Sequence, residues 1–289
     1  MTSQSVVILL RAPSETNDIY ETTLSASGYT VFSVPVLETV LTNVNDLTGI
    51  IQHGPAYDGV IMTSARACEA WRDAVDGLES QHTPSNYDWN SRPFYVVGKG
   101  TKSALCEIHT RHPNSPFAPN PLMIKGEDCG NADQLGRFIV EDLKSTPTKL
   151  LYLTGDKNRD TLPNILRDSH VDFQALQVYE TRGSVRFPID WKATLEMASK
   201  GDPCTLRWWI IFFAPSAAQF VLPFIEEYFE LSTKASTGNS SKPVAKIASI
   251  GPTTGKYLHE TLCLHVAATA SKPTPEDLVS AIISSDMED

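Results

Sequence analysis

The feature that most constrains the fold is an internal repeat, in which four segments occur twice along the chain in the same order. Each segment combines a short apolar run with a helical pattern. The four pairs are residues 6–13 and 150–157, 57–67 and 208–218, 94–101 and 246–254, and 130–135 and 273–278. A repeat of whole strand-and-helix units predicts two similar domains, and clefts between such twins are preferred ligand sites.

The apolar runs are rich in β-branched and aromatic side chains, which is typical of fully buried strands. Amphipathic stretches such as 67–74, 131–143 and 160–169 separate them and predict helices. Alternation of strand and helix implies parallel sheets with helices on both faces. The predicted strands are residues 6–10, 31–37, 59–62, 94–97, 150–153, 173–179, 208–213, 247–250 and 264–267.

Composition excludes several classes of function. A net charge of -10 over 289 residues gives the chain no overall attraction for nucleic acid or an anionic membrane. Five scattered cysteines without a CxxC pair predict reduced thiols in the cytoplasm. The apolar run 6–10 is shorter than a signal-peptide core and no basic residue precedes it. Residues 232–243 are low in complexity and predict a mobile loop.

Small, hydroxyl-bearing segments follow several predicted strands and precede helices. Helix N-termini at the carboxyl ends of parallel strands present backbone N–H groups that hold carboxylates or phosphates. Six such ends predict a site for a small polyanion, while the alternative is that each Ser or Thr is an ordinary N-cap. In equivalent pairs, the segments are residues 63–66 and 214–216, 98–101 and 251–254, and 126–131 and 271–275.

These segments resemble motifs of the uroporphyrinogen-III synthase family, in its eukaryotic or fungal form. Each motif is weak alone, but eight of them in the family's order cover nearly the whole chain. Ala214 and Ala65 depart from the pattern, since the family often has Ser or Thr at the first position and Pro at the second. The matching segments are residues 58–67, 96–101, 129–135, 151–163, 178–181, 212–216, 250–254 and 273–278.

The resemblance implies two similar flavodoxin-like α/β/α domains with parallel sheets, joined by a two-stranded β link, with the active site in the cleft between them. One domain would comprise residues 1–35 and 183–289, and the other residues 38–176. Residues 33–38 and 177–183 would form the link. The repeat alone would instead have placed the boundary near residue 147.

The implied reaction is the cyclisation of hydroxymethylbilane to uroporphyrinogen III, with loss of water and inversion of ring D through a spiro intermediate. It requires no cofactor and no metal. By matching position, Tyr179 is the implied catalytic acid for the leaving hydroxyl. The implied residues for binding the substrate's carboxylates are Ser64, Arg66, Lys99, Thr101, Ser216, Thr253 and Thr254.

The implied enzyme is a cytoplasmic monomer of heme biosynthesis that contacts the bilane-producing deaminase only transiently. One alternative is a non-catalytic tetrapyrrole-binding or regulatory protein of the same fold, for which a leaving-group acid would be dispensable. A second is an unrelated two-domain transferase or sugar-binding protein, which would bind a nucleotide or a sugar. The chain shows no phosphate-loop glycine pattern that favours this second alternative.

Overall fold

A computed structural model of the chain describes residues 5–14, 16–54, 57–82, 88–143, 148–199, 206–231 and 242–288. Most of the predicted mobile loop at 232–243 lies outside the described residues, as does Cys204. Within the described ranges, no helix combines the length and the apolar composition that a membrane crossing requires.

The described residues form twelve strands and ten α-helices that largely alternate along the chain. The strands are β1 (Ser5–Leu10), β2 (Thr30–Ser33), β3 (Leu37–Leu41), β4 (Gly59–Met62), β5 (Phe94–Val96), β6 (Ile124–Lys125), β7 (Lys149–Gly155), β8 (Asp172–Gly183), β9 (Arg207–Phe212), β10 (Glu230–Leu231), β11 (Val244–Ser249) and β12 (Val266–Thr269). The helices are α1 (Ile19–Ala26), α2 (Val44–His53), α3 (Ala65–Ser80), α4 (Gly98–Arg111), α5 (Ala132–Leu143), α6 (Thr161–Asp168), α7 (Phe187–Ala198), α8 (Pro215–Tyr228), α9 (Pro252–Glu260) and α10 (Pro275–Met287).

The first of two units comprises residues Met1–Glu38 and Arg182–Asp289. Its sheet has the order β2–β1–β9–β11, and both β10 and β12 pair with β11. All of these pairs are parallel. Trp208 and Phe212 pack into the core on one face of the sheet, and Trp209 and Ile211 pack into the core on the other. Burial on both faces explains why the strands are continuously apolar.

The second unit comprises residues Thr39–Thr181. Its sheet has the order β3–β8–β7–β4–β5–β6, and the five strands from β8 to β6 are parallel. Trp71 anchors one face, with its ring centroid 5.0 Å from that of Trp89 and 5.2 Å from that of Phe94. Tyr95 and Tyr152 belong to the core on the other face.

The two sheets share one strand order. The repeated segments show which strands of the two sheets correspond. The order β2–β1–β9–β11–β12 in the first unit matches the order β8–β7–β4–β5–β6 in the second. Counted along the chain, the first order is 2-1-3-4-5, which is flavodoxin-like. The second is 5-4-1-2-3, a circular permutation of the first. The α/β class with parallel sheets, predicted from the alternation of strands and helices, is confirmed.

The chain passes between the units within β3 and within β8, and these two strands pair with each other. Thr42 N donates to Val178 O at 2.9 Å and Ser184 N donates to Val36 O at 2.8 Å, so the two strands run antiparallel. The single strand expected at 31–37 is divided into β2 and the start of β3. The division occurs around Pro35, which has no backbone N–H to donate to a neighbouring strand, and the flanking Val34 and Val36 pack into the core of the first unit.

We expect Trp71→Ala to destabilise the second unit by about 3–5 kcal/mol. The substitution empties a buried site between two aromatic rings and removes the hydrogen bond from Trp71 Nε1 to Phe117 O, which is 3.1 Å long. Urea unfolding followed by circular dichroism measures the change. Leu122→Ala is the control, since Leu122 in the same unit is 89% exposed and its truncation should change stability by less than about 0.5 kcal/mol. Equal midpoints for the two variants would contradict this account of the core.

Candidate active site

The strand order locates the crevice in each sheet where a ligand is expected. In open parallel sheets this crevice lies at the carboxyl ends of the two strands between which the order reverses. In the first unit these strands are β1 and β9, and in the second they are β7 and β4. The predicted site residues follow β4, β5, β9 and β11 or lie near the end of β8, so each set lies along one edge of its own sheet.

Ser64 and Arg66 follow β4 in the second unit. Ser64 is the N-cap of α3, and its hydroxyl accepts a hydrogen bond from Arg66 N at 3.2 Å. A cap of this kind contributes about 1 kcal/mol. The guanidinium of Arg66 is half exposed and pairs with Glu69 at 3.1 Å. The alternative reading as a helix cap is therefore confirmed for Ser64, and the positive charge of Arg66 is already partly balanced.

Lys99 and Thr101 lie in the first turn of α4, after β5. Lys99 is exposed, while Thr101 is 6% exposed. The preceding Gly98 has φ +80°, a left-handed conformation that other residues adopt at a cost. Beyond Thr101, the ammonium of Lys102 donates to Glu127 at 2.5 Å, which ties α4 to the loop after β6 and lowers the pKa of Glu127.

Ser216, Thr253 and Thr254 lie in the first turns of α8 and α9 in the first unit. Ser216 and Thr253 are exposed, whereas Thr254 is 4% exposed. The N-cap of α8 is Ala214, which has no side chain to cap the helix, and the N-cap of α9 is Gly251. The cap reading is therefore wrong for these three residues. It is also wrong for Thr101, because Val97 is the N-cap of α4.

The positions of the helix N-caps and of the strand ends show which site residues of the two units are equivalent. Ser64 and Ala214 occupy the same N-cap position, so Arg66 matches Ser216. Thr101 and Thr254 match by strand rather than by cap, since each lies five residues after the end of its strand, β5 or β11, and both are buried. The structure therefore brings Ser64, Arg66, Lys99 and Thr101 to one edge of the second sheet, and Ser216, Thr253 and Thr254 to the corresponding edge of the first.

Tyr179 lies near the carboxyl end of β8 in the second unit. Its half-buried ring packs against the core that contains Val178 and stands over Gly155, the last residue of β7. Among the residues that the structure describes, the Tyr179 hydroxyl makes no hydrogen bond, and it is not among the buried unpaired atoms. The phenol is therefore available to a ligand at the edge where Ser64 and Lys99 also lie.

A charged pair at the end of β1 was missed by sequence reasoning. Arg11 directly follows β1, and its guanidinium forms a bidentate pair with Asp18, with both N–O distances 2.9 Å. The same guanidinium lies 5.0 Å from the centroid of the Tyr20 ring and 5.4 Å from that of Phe213. The sequence does show Arg11 just after a predicted strand and Asp18 ahead of a helix. It does not show that the two side chains pair, because that depends on the path of the loop between them.

Asp18 is the N-cap of α1 and is 6% exposed. Burial raises the pKa of its carboxyl. The hydrogen bond from Arg11 and the backbone N–H groups of Ser14 and Glu21 outweigh burial and lower that pKa to about 2. The pair therefore stays ionised at neutral pH and holds the loop after β1 against α1.

The described part of the chain offers no ligand set for a resident metal ion. Among the described residues, no three His, Cys, Asp or Glu side chains are grouped closely enough to hold one. The chemistry that these edges offer consists of backbone N–H groups, hydroxyls, a few cations and one phenol.

Comparisons with known proteins point to a single family. Residues 18–280 match the family model described as uroporphyrinogen-III synthase HemD. The uroporphyrinogen-III synthase of Schizosaccharomyces pombe is 27% identical over 284 residues, covering 97% of both chains. That of Saccharomyces cerevisiae is 24% identical over 290 residues, covering 96% of this chain and 94% of the other. A crystal structure of uroporphyrinogen-III synthetase from Helicobacter pylori 26695 aligns with 97% of this chain and 99% of its own at 18% identity, with a TM-score of 0.46.

We expect Asp18→Asn to lower the free energy of unfolding by about 2 kcal/mol at pH 7, since it leaves Arg11 without its counter-charge. The pKa of Asp18 is about 2 in the folded chain and 3.8 without the fold, so the stabilisation is complete above about pH 4 and is lost as the pH falls toward 2. Urea unfolding between pH 7 and pH 2 measures the difference between variant and wild type. That difference should shrink below pH 4.

The control is Asp190→Asn, which removes the exposed ion pair between Asp190 and Arg186 in the same unit. Exposed pairs contribute little, so this variant should unfold almost as the wild type does. A constant difference between Asp18→Asn and wild type from pH 7 to pH 2 would contradict the assignment.

Proposed function

The chain belongs to the uroporphyrinogen-III synthase family, and from this premise we propose how its own residues bind and convert the substrate. The activity is the cyclisation of hydroxymethylbilane to uroporphyrinogen III, which makes the chain a lyase of porphyrin and heme biosynthesis. The observation that carries this conclusion is the match of residues 18–280 to one family of enzymes.

The reaction begins when the hydroxymethyl carbon of the bilane loses its hydroxide. The adjacent pyrrole nitrogen supplies the electron pair, which leaves a cationic azafulvene. The substituted carbon of ring D then attacks this carbon and forms a spiro pyrrolenine. Fragmentation and reclosure invert ring D, and loss of a proton restores aromaticity. The net change is the release of one water molecule.

Positioning is the larger task of the protein in this scheme. The pyrrole nitrogen supplies the electron pair that expels the leaving group, so the protein has to donate one proton and to hold ring D within reach of the azafulvene carbon, and the second contribution can be the larger. The bilane carries eight carboxylates, and its orientation can be set through them. We propose that the first turns of α3, α4, α8 and α9 bind these carboxylates with backbone N–H groups.

Several side chains support such binding. Lys99 and Arg66 lie in exposed first turns and supply positive charge, and Ser216 and Thr253 present exposed hydroxyls. Ser64 accepts from Arg66 N at the start of α3, and its hydroxyl can still donate to a carboxylate oxygen. Thr101 and Thr254 lie deeper in α4 and α9, and we propose that their hydroxyls bind carboxylates that enter the turn. An acidic chain can in this way bind a polyanion through local donors.

Tyr179 is the proposed proton donor to the leaving hydroxyl. Its phenol makes no hydrogen bond to any residue that the structure describes, so donating to a substrate oxygen breaks no internal contact. A phenol can donate its proton to the hydroxide as it departs, which forms the released water. The proton that is lost when aromaticity is restored then returns to the Tyr179 oxygen, so the cycle balances.

Three further features are proposed. The active site draws residues from both units, joined through the β3–β8 pair, as the family resemblance implies. The enzyme acts as a monomer in the cytoplasm, and the free cysteines among the described residues are in keeping with that reducing compartment. It receives the bilane through transient contact with the deaminase that makes it, since the free bilane closes spontaneously without inversion.

The experiment that tests the function supplies bilane from a deaminase, with and without this protein, and separates the oxidised products by chromatography. Uncatalysed closure yields the type I isomer, so the appearance of type III demonstrates the activity. Persistence of type I with folded protein would leave a non-catalytic tetrapyrrole-binding protein as the conclusion.

We expect Tyr179→Phe to lower kcat for type III formation about 100-fold, with little change in KM, because the variant lacks the proton donor but retains the ring. Type III formation at varied bilane concentration measures both constants. Tyr228→Phe in α8 removes a phenol from a helix end and should match wild type. Wild-type kcat for Tyr179→Phe would exclude the acid role.

We expect Thr254→Val to raise KM about tenfold, or about 1.4 kcal/mol, because it removes one hydrogen bond to a carboxylate while keeping the shape of the side chain. Steady-state kinetics measure the change. Thr194→Val is the matched control, because Thr194 is equally buried in the same unit and its hydroxyl donates to Asp190 O in its own helix at 2.8 Å. Equal KM values for both variants would show that the Thr254 hydroxyl does not bind substrate.

A further inference from the structure

Gly155 provides the space in which the Tyr179 ring lies. A Cβ atom at position 155 would stand 2.5 Å from Cζ and 2.9 Å from the hydroxyl oxygen of Tyr179. Both distances are well below van der Waals contact, so any side chain here would displace the phenol end of the ring. The absence of a side chain at Gly155 therefore determines where the Tyr179 hydroxyl can be.

A bulge in β8 brings Tyr179 to this position. Thr154 of β7 pairs with Gln177, but the next residue, Gly155, pairs with Tyr179, so Val178 is an extra residue on β8. In a regular strand Val178 and Tyr179 would point to opposite faces. Here both pack against the same core cluster, which means that the bulge re-aims Tyr179 onto the face where Gly155 leaves space.

Asp156 holds the strand beyond the bulge. Its carboxylate Oδ1 accepts a hydrogen bond from Thr181 N at 3.1 Å. Thr181 is two residues after Tyr179, and Asp156 is the residue after Gly155. The loop that follows β7 is therefore tied to β8 on the far side of Tyr179, and the bulge on the near side is buried at Val178.

We propose that Gly155 and Asp156 are positioning residues for the phenol of Tyr179. Gly155 leaves the space for the ring, and Asp156 fixes the backbone that carries it. This inference rests on the proposed role of Tyr179 as the acid. Both residues belong to the segment 151–163, whose resemblance to a family motif assigns no role to either residue.

A double-mutant cycle tests the steric part. Gly155→Ala should lower kcat for type III formation about 10- to 100-fold with little change in KM, because the donor is displaced by about an ångström. In a Tyr179→Phe background, where there is no hydroxyl to place, the same substitution should cause no further loss. A purely structural role predicts an equal further loss in both backgrounds, and that result would overturn the inference.

Stability is measured in parallel, since Gly155→Ala introduces a clash. Its urea midpoint should fall, and the fall should be largely abolished when Tyr179→Ala removes the ring. An undiminished fall would show that the Cβ meets something other than Tyr179 and would contradict the inference. Gly77→Ala is the control, because nothing lies within 4 Å of a Cβ at Gly77 in α3, and both activity and stability should be retained.

Asp156 provides a test that does not depend on the clash. Asp156→Ala should lower kcat about tenfold, whereas Asp156→Asn should restore it, since the amide oxygen can still accept from Thr181 N. If Asp156→Asn is as slow as Asp156→Ala, the carboxylate acts through its charge and the positioning role is wrong. In Tyr179→Phe, Asp156→Ala should have no further effect.

The two proposals fail in distinguishable ways. Wild-type kcat in Tyr179→Phe removes the acid role and the inference with it. A slow Tyr179→Phe, combined with additive losses from Gly155→Ala and Asp156→Ala, keeps the acid and removes only the positioning role.

Discussion

Burial of both faces of each sheet is the constraint on which the rest of the structure depends. Strands such as β1 and β9 carry apolar side chains on both faces, and successive residues enter different cores. Such strands run parallel because helices must cover both faces, and each crossover returns the chain to the same end of the sheet. Within each sheet, the carboxyl ends of the repeated strands then lie along one edge. Ser64, Lys99, Ser216 and Thr253 reach comparable positions for this reason alone.

The repeat explains what the two units share, and the caps explain where they differ. Thr101 and Thr254 are buried at equivalent points after β5 and β11. Ser64, by contrast, caps α3 with its hydroxyl, whereas Ala214 leaves the N-terminus of α8 without a side-chain partner. The N–H groups of α8 are therefore more open to an external acceptor. Equivalent segments need not contribute equally to one substrate.

Much of the fold could be read from the sequence, because apolar runs and helical periodicity report burial directly. Strand β9 and helix α5 follow from such patterns almost residue by residue. A single predicted strand misses the break between β2 and β3, although Pro35, which has no backbone N–H, signals it between Val34 and Val36. At the site, residues in first turns were predictable. The placing of Tyr179 over Gly155 was not, because it depends on a bulge that shifts the pairing of β7 and β8 by one residue.

The division of the first unit into two stretches of chain has a consequence for biosynthesis. Strand β1 lies between β2 and β9, yet β9 is about two hundred residues further along the chain. On a ribosome, the second unit is complete once residue 181 has emerged, while β1 still exposes one unpaired apolar edge. We therefore expect the inserted unit to fold first. The amino-terminal strands stay incompletely paired for longer, because β9, which pairs with β1, is made only after the inserted unit.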